Sequence, residues 1–137
     1  MKRLKEYVII AIIGGIYYFL LEILWRGYSH WEMIIVGGLC AALIYLVDER
    51  LSRKSLISKC VIGALCITLA ELFSGIILNI WLQLDIWDYS RLQYNVLGQI
   101  SIRTSLLWML LCVPAFMISY IVREIFKTKG ETYGKKV

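Results

Sequence analysis

The sequence predicts an all-α fold: a polytopic membrane protein, a four-transmembrane-helix bundle with its N and C termini cytoplasmic. Three observations lead there. First, 60% of the 137 residues are hydrophobic and the mean hydropathy is +0.71, whereas soluble domains are roughly 45–50% apolar. Second, the apolar residues gather in four continuous runs without the alternation of a β-barrel, so helices are the way to satisfy the backbone in lipid. Third, the positive charge clusters in short segments flanking those runs.

The elements follow in order from length. A hydrocarbon core of about 30 Å needs roughly 20 helical residues, with about 17 as a lower bound. Residues 7–25 form the first span, 31–47 a shorter second, 60–82 the third and 98–122 the fourth, whose helix is expected to reach back as far as Val96. An outer loop covers 83–93 and a basic cytoplasmic tail covers 123–137, all within one membrane domain. The N-terminus begins like a secretory signal, but no small-residue cleavage site follows its apolar run, so it is expected to stay as the first span.

Charge sets the orientation. Lys2, Arg3 and Lys5 precede the first span, Arg50, Arg53, Lys54 and Lys59 join the second to the third, and Arg123, Lys127, Lys129, Lys135 and Lys136 follow the fourth. The positive-inside rule makes all three segments cytoplasmic, in agreement with an even number of spans in the cell (plasma) membrane. The formal charge of +5 is thus orientation machinery, and nucleic acid is not expected as a partner. Trp25, Tyr28, Trp31, Trp81, Trp87 and Tyr89 lie around the outer ends and read as an aromatic belt at headgroup level. Gly14-Gly15 and Gly37-Gly38 suit a close helix crossing, and Pro114 should kink the fourth span.

Several chemistries lack support. No GxxxxGK[ST] stretch is present, so the chain does not hydrolyse a nucleotide by the P-loop route. Cys40, Cys60, Cys66 and Cys112 lie in apolar runs without a CxxC pair and read as small hydrophobes. No metal site, cofactor or catalytic residue is assigned. His30, the single histidine, has no nucleophile placed beside it by spacing.

The informative residues are polar ones inside or at the rims of the apolar runs, which lipid disfavours strongly enough that they usually face a protein interior. Residues four apart share a helix face. Tyr18, Glu22 and Arg26 make one stripe, Glu71, Gly75, Asn79 and Gln83 a second, and Asn95, Gln99 and Arg103 a third. Aligning the cytoplasmic ends of the third and fourth spans sets Arg103 level with Asn79, about two turns from Glu71, which argues against a Glu71–Arg103 pair. Glu22, Arg26, Asn79 and Arg103 are then expected to converge in the outer half, with Glu22 as counter-ion to Arg103 or Arg26. Glu71 is left near the midplane without a cation at its level, as a strut between helices or a proton- or ligand-binding group. In the outer loop, Asp85 and Asp88 are carboxylates flanking the cluster, and Trp87 and Tyr89 could hold a cation or ring. Asp88 could equally cap a helix or form an Asx-turn with Ser90.

The segment from Glu22 through Trp25-Arg26 and Ser29-His30-Trp31 to Gly37-Gly38 is followed by a second set of features. These are Glu71, Gly75, Asn79, Trp87-Asp88-Tyr89-Ser90, Asn95, Gly98-Gln99-Ile100 and Trp108. Together they resemble the bacterial integral membrane proteins of the ABC-transporter type IV (CmpB-like) family, over roughly residues 17–108. The resemblance implies a transport-related integral membrane protein and assigns no individual binding residue.

The leading expectation is a small transport-related or solute-binding membrane protein, with a polar cluster in the outer half of the bundle. Its partners are the lipid bilayer, a small-molecule or lipid ligand, and a second copy or another membrane subunit. One alternative is a membrane-interface enzyme acting on a lipid or isoprenoid head group; another is a non-catalytic membrane scaffold or regulator.

Overall fold

The computed structural model describes residues 1–134, and these are helical with no β-strand among them. Helix α1 spans Lys2–Arg26, α2 Glu32–Arg50, α3 Leu56–Gly75 and α4 Ile102–Gly134, with a π-helical turn, Ile76–Trp81, continuing α3. Residues 82–101 form a long irregular loop, whose ladder contact is an isolated bridge between Val96 and Ile100.

Three of the helical stretches, Lys2–Arg26, Leu56–Trp81 and Ile102–Lys127, are long and apolar enough to cross a membrane. Helix α2 is shorter, with 19 residues. Its apolar stretch from Met33 to Val47 rises only about 22 Å, and charged residues crowd its last turn. It nevertheless touches all three others, α1 most extensively. Met33, Gly37, Gly38, Ile44, Tyr45, Val47 and Asp48 are buried on it, against only Ile10 and Gly15 on α1.

Local chemistry accounts for the boundaries. Gly27 adopts φ 80°, open to a residue without a Cβ, and its N–H closes α1 on the Ile23 carbonyl at 2.8 Å. The Ser55 hydroxyl accepts the Ser58 N–H at 3.3 Å to open α3. At the head of α4, Ser101 and Thr104 cap each other: the Thr104 N–H donates to Ser101 Oγ at 3.2 Å and the Ser101 N–H to Thr104 Oγ1 at 3.1 Å. That reciprocal cap and the left-handed backbone at Leu97 (φ 55°) and Gly98 (φ 70°) place residues 98–101 and Val96 in the loop. The fourth helix therefore starts four residues later than expected. At its other end, the expected tail from Arg123 continues α4 to Gly134; Lys135 and Lys136 lie outside the described residues.

Helices α1 and α2 meet through their glycine pairs. A Cβ on Gly38 would lie 2.8 Å from the Ala11 carbonyl oxygen, one on Gly37 would lie 2.7 Å from Tyr18 Cβ, and one on Gly14 would overlap Ala41. The bundle core is Ile44, Val47, Cys60, Ile67, Cys112 and Phe116, from α2, α3 and α4. Cys60 and Cys112 thus pack as small hydrophobes. Helix α1 touches α4 only sparsely, which leaves a groove between them.

The end of the bundle bearing the N-terminus is tied by ions. Arg3 reaches Glu49 at 2.6 Å, and Asp48, its side chain 2% exposed, receives Lys59 at 2.8 Å and Arg123 at 2.9 Å. The start of α1, the turn after α2 and the last third of α4 therefore share one basic end.

Two substitutions probe this frame. Gly38→Ala should destabilise the bundle by about 1–3 kcal/mol, since the Ala11 backbone cannot easily move aside. Asp48→Ala should cost about 3 kcal/mol, at the low end for a broken buried pair because Lys59 and Arg123 stay 15% and 19% exposed. Urea unfolding in mild detergent, followed by tryptophan fluorescence, measures both.

Candidate functional site

The polar residues at the other end of the bundle assemble around the loop 82–101. At Ile76 the helix widens to i→i+5 bonding, with the Leu82 N–H donating to the Ile77 carbonyl at 2.9 Å. This π-turn carries Asn79, 8% exposed, against the returning loop. Its Oδ1 accepts the Ile86 N–H at 2.7 Å, and its Nδ2 donates to Gln99 Oε1 at 2.8 Å. From α1, Arg26 Nη1 donates to the Ile86 carbonyl at 3.0 Å. Ile86, 2% exposed, is thus held by its N–H from one helix and by its C=O from another.

The neighbouring bonds extend the clamp. The Trp87 indole N–H donates to the Gln99 carbonyl at 3.0 Å, Gln99 Nε2 donates to Leu97 O at 3.0 Å, and the Tyr89 N–H donates to Gly98 O at 2.7 Å. Gly75 makes room, because a Cβ there would overlap the Gln99 side chain. Asn95 donates to Leu92 O at 2.8 Å and accepts from the Gly98 N–H at 3.1 Å. Gln83, Asp85, Tyr94 and Leu97 all have φ between 48° and 55°, left-handed conformations costing of order 1 kcal/mol or more each. The clamp offsets that strain.

Glu71 anchors the underside. It is 6% exposed and accepts the Tyr89 hydroxyl at 3.0 Å on one oxygen and the Trp108 indole N–H at 2.9 Å on the other. Beside it, the Tyr18 ring lies 5.8 Å from that of Trp108. The Tyr18 hydroxyl donates to Glu22 at 3.1 Å, and Glu22 also pairs with Arg26 at 2.6 Å and accepts from Ser29 at 2.9 Å. Arg26 Nε stays buried without an acceptor among the described residues. Below these groups runs the groove between α1 and α4, about 120 Å³ in volume. It is floored by α2 through Gly37, Cys40 and Ala41 and reached by Tyr18, Glu71 and Trp108. Its walls are otherwise almost wholly apolar.

The structure brings together Glu22, Arg26, Glu71, Asn79, Trp87, Tyr89, Asn95 and Gln99, though Asn95 and Gln99 come from the loop and not from a stripe on the fourth helix. Arg103 stands apart: it is exposed, with no ion pair or hydrogen bond among the described residues. Glu22 takes Arg26, one turn along its own helix, as partner. Asp85 is exposed, with no such contact among the described residues. Asp88 is exposed and forms the Asx-turn, accepting the Ser90 N–H at 2.8 Å and the Ser90 hydroxyl at 3.0 Å; these bonds hold its carboxyl below the usual carboxylate range. The aromatic belt divides. Trp25, Tyr28, Trp31 and Trp81 are exposed, while Trp87 is 9% exposed and Tyr89 turns in to Glu71.

Sequence reasoning missed the Asp48–Lys59–Arg123 cluster and the roles of Ile86 and Trp108, while it did place Tyr18 on the stripe of Glu22 and Arg26. Asp48 had a legible signal, as an acid set just inside a basic segment. Ile86 had none, because its part is played by backbone atoms.

The clamp and the free arginine respond differently to truncation. Asn79→Ala should speed hydrogen exchange of the Ile86 amide and cost about 1–3 kcal/mol, since it strands a buried donor. Arg103→Ala should change stability by less than about 0.5 kcal/mol. Exchange mass spectrometry with thermal unfolding of both variants measures the difference.

No curated protein and no solved structure matches this chain. A family model does match it, over residues 7–135, nearly the whole length. The match agrees with the resemblance carried by the Trp87-Asp88-Tyr89-Ser90 loop and the residues it packs upon. The chain belongs to the family described as "Putative ABC-transporter type IV".

Proposed function

We propose that this protein is a transport-related membrane subunit of the plasma membrane that binds an amphipathic solute in the groove between α1 and α4. The ligand's apolar part occupies the groove, and its polar end meets Glu71 and Tyr18 beneath the loop. The supporting observation is a concave, largely apolar space with a few convergent polar groups, the usual form of a small-molecule site. The loop residue Trp87 lies in its wall. In this reading all four helices span, and α2 tolerates its shortness because the longer helices surround it. Both termini and the turn 51–55 face the cytoplasm, on the strength of the positive-inside rule. Without a P-loop in its sequence, the chain depends on a partner subunit for any coupling to ATP.

One observation favours a second reading, a non-catalytic scaffold. The side chains of Glu71, Asn79 and Gln99 are already engaged with protein groups, so they could serve only to hold the loop.

Two experiments test these readings. In a background without native cysteines, Ser90→Cys should react with an impermeant maleimide on intact cells and Ser52→Cys only after lysis; the reverse pattern inverts the topology. For the groove, Ala115→Trp places a ring among its lining residues. Native mass spectrometry of protein from mild detergent should find a bound small molecule on the wild type and none on this variant. A wild type that carries nothing, or a variant that retains the same molecule, leaves the scaffold reading.

A further inference from the structure

At the basic end of the bundle a second cavity opens between α3 and α4, about 250 Å³ in volume and lined by Asp48, Leu56, Lys59, Phe116, Met117, Tyr120 and Ile121. Its polar floor is unbalanced. Asp48 and Lys59 are the charged residues of the lining, and Arg123, paired to Asp48 from behind it, leaves the cluster with one positive charge in excess. The hydrogen bonding is incomplete as well. Lys59 donates one N–H to Asp48 at 2.8 Å, and an ammonium has three to give. Its Nζ lies 5.4 Å from the centre of the Phe116 ring, which fixes the charge at the cavity edge.

Position narrows the occupant. Lys59 immediately precedes the apolar run of α3, and Arg123 immediately follows that of α4. In a bilayer both therefore sit where hydrocarbon meets headgroups. The walls beyond them, Met117, Tyr120 and Ile121, are 61%, 56% and 54% exposed, so the cavity opens sideways toward acyl chains. A soluble anion would find one polar edge and an apolar trough. A lipid with a phosphate headgroup satisfies both.

We infer that this cavity is a phospholipid site in which the lipid phosphate takes the spare donors of Lys59 and one acyl chain lies along Met117, Tyr120 and Ile121. Basic pockets between membrane helices recognise anionic headgroups in this manner. The site needs only a bilayer around the bundle and is independent of any transport role or ligand in the α1–α4 groove.

The test uses the full chain, delipidated in mild detergent and titrated with phosphatidylglycerol, with occupancy read by native mass spectrometry. One lipid should bind saturably, and diacylglycerol of the same chains should bind far more weakly. Lys59→Met should weaken phosphatidylglycerol by about fivefold or more, while Arg103→Ala at the opposite end should not. Met117→Trp leaves every charge in place and fills the trough, so it should reduce occupancy even where Lys59→Met folds poorly. Diacylglycerol binding as tightly as phosphatidylglycerol overturns the assignment. So does unchanged binding to Met117→Trp, or displacement of the lipid by an equal concentration of inorganic phosphate.

Discussion

Backbone groups buried away from water have to find hydrogen-bond partners within the protein, and the architecture of this chain turns on how the buried part of residues 82–101 does so. The central contact is the double hold on Ile86, whose N–H is taken by Asn79 and whose carbonyl is taken by Arg26. Each neighbouring feature serves that contact. The π-turn rotates Asn79 toward the loop, Gly75 lets Gln99 approach, and Glu22 holds the arginine in place. Four non-glycine residues with left-handed backbone are tolerated because the loop is secured from two sides. Wide helical turns and strained loops of this sort tend to gather where proteins function.

The two ends of the bundle solve different problems. At the basic end, charges at the helix termini pair across α1, α2, α3 and α4, with Asp48 as the buried hub. At the loop end the groups are mostly neutral donors and acceptors, and one ion pair among the described residues, Glu22–Arg26, supports them. Between the ends, the α1–α2 glycine crossing and the α2–α3–α4 core leave one side of α1 thinly packed against α4. The groove is a consequence of that uneven packing: glycines draw α1 toward α2, and nothing of equal closeness draws it toward α4.

Much of this was legible in the residues. The helix-turn spacing of Tyr18, Glu22 and Arg26 reads directly as a shared face, because an i,i+4 relation is local. The glycine pairs read as a crossing for the same kind of reason: small residues mark close approach whatever their partner. The expectation for Arg103 failed because it assumed helix from 98 onward. An S-x-x-T cap is a weaker signal than S-x-x-E, and Leu97 in a left-handed conformation leaves no trace in a hydrophobic run. Once Asn95 and Gln99 belong to a loop, Arg103 no longer shares their face.

The sequence by itself determined the helical class, the apolar stretches, the basic segments and the family, since each depends on composition and short-range spacing. Beyond the local Tyr18–Glu22–Arg26 stripe, tertiary structure alone decided which polar side chains meet. It turned Trp87 and Tyr89 inward while leaving Trp25 and Trp81 exposed, gave Glu71, already read as lacking a cation at its level, two neutral donors, and set Asp48 between Lys59 and Arg123. The reason is physical. A hydrogen bond depends on ångström-scale placement of groups far apart in the chain, and here that placement follows from a π-turn and a folded loop that no periodicity encodes.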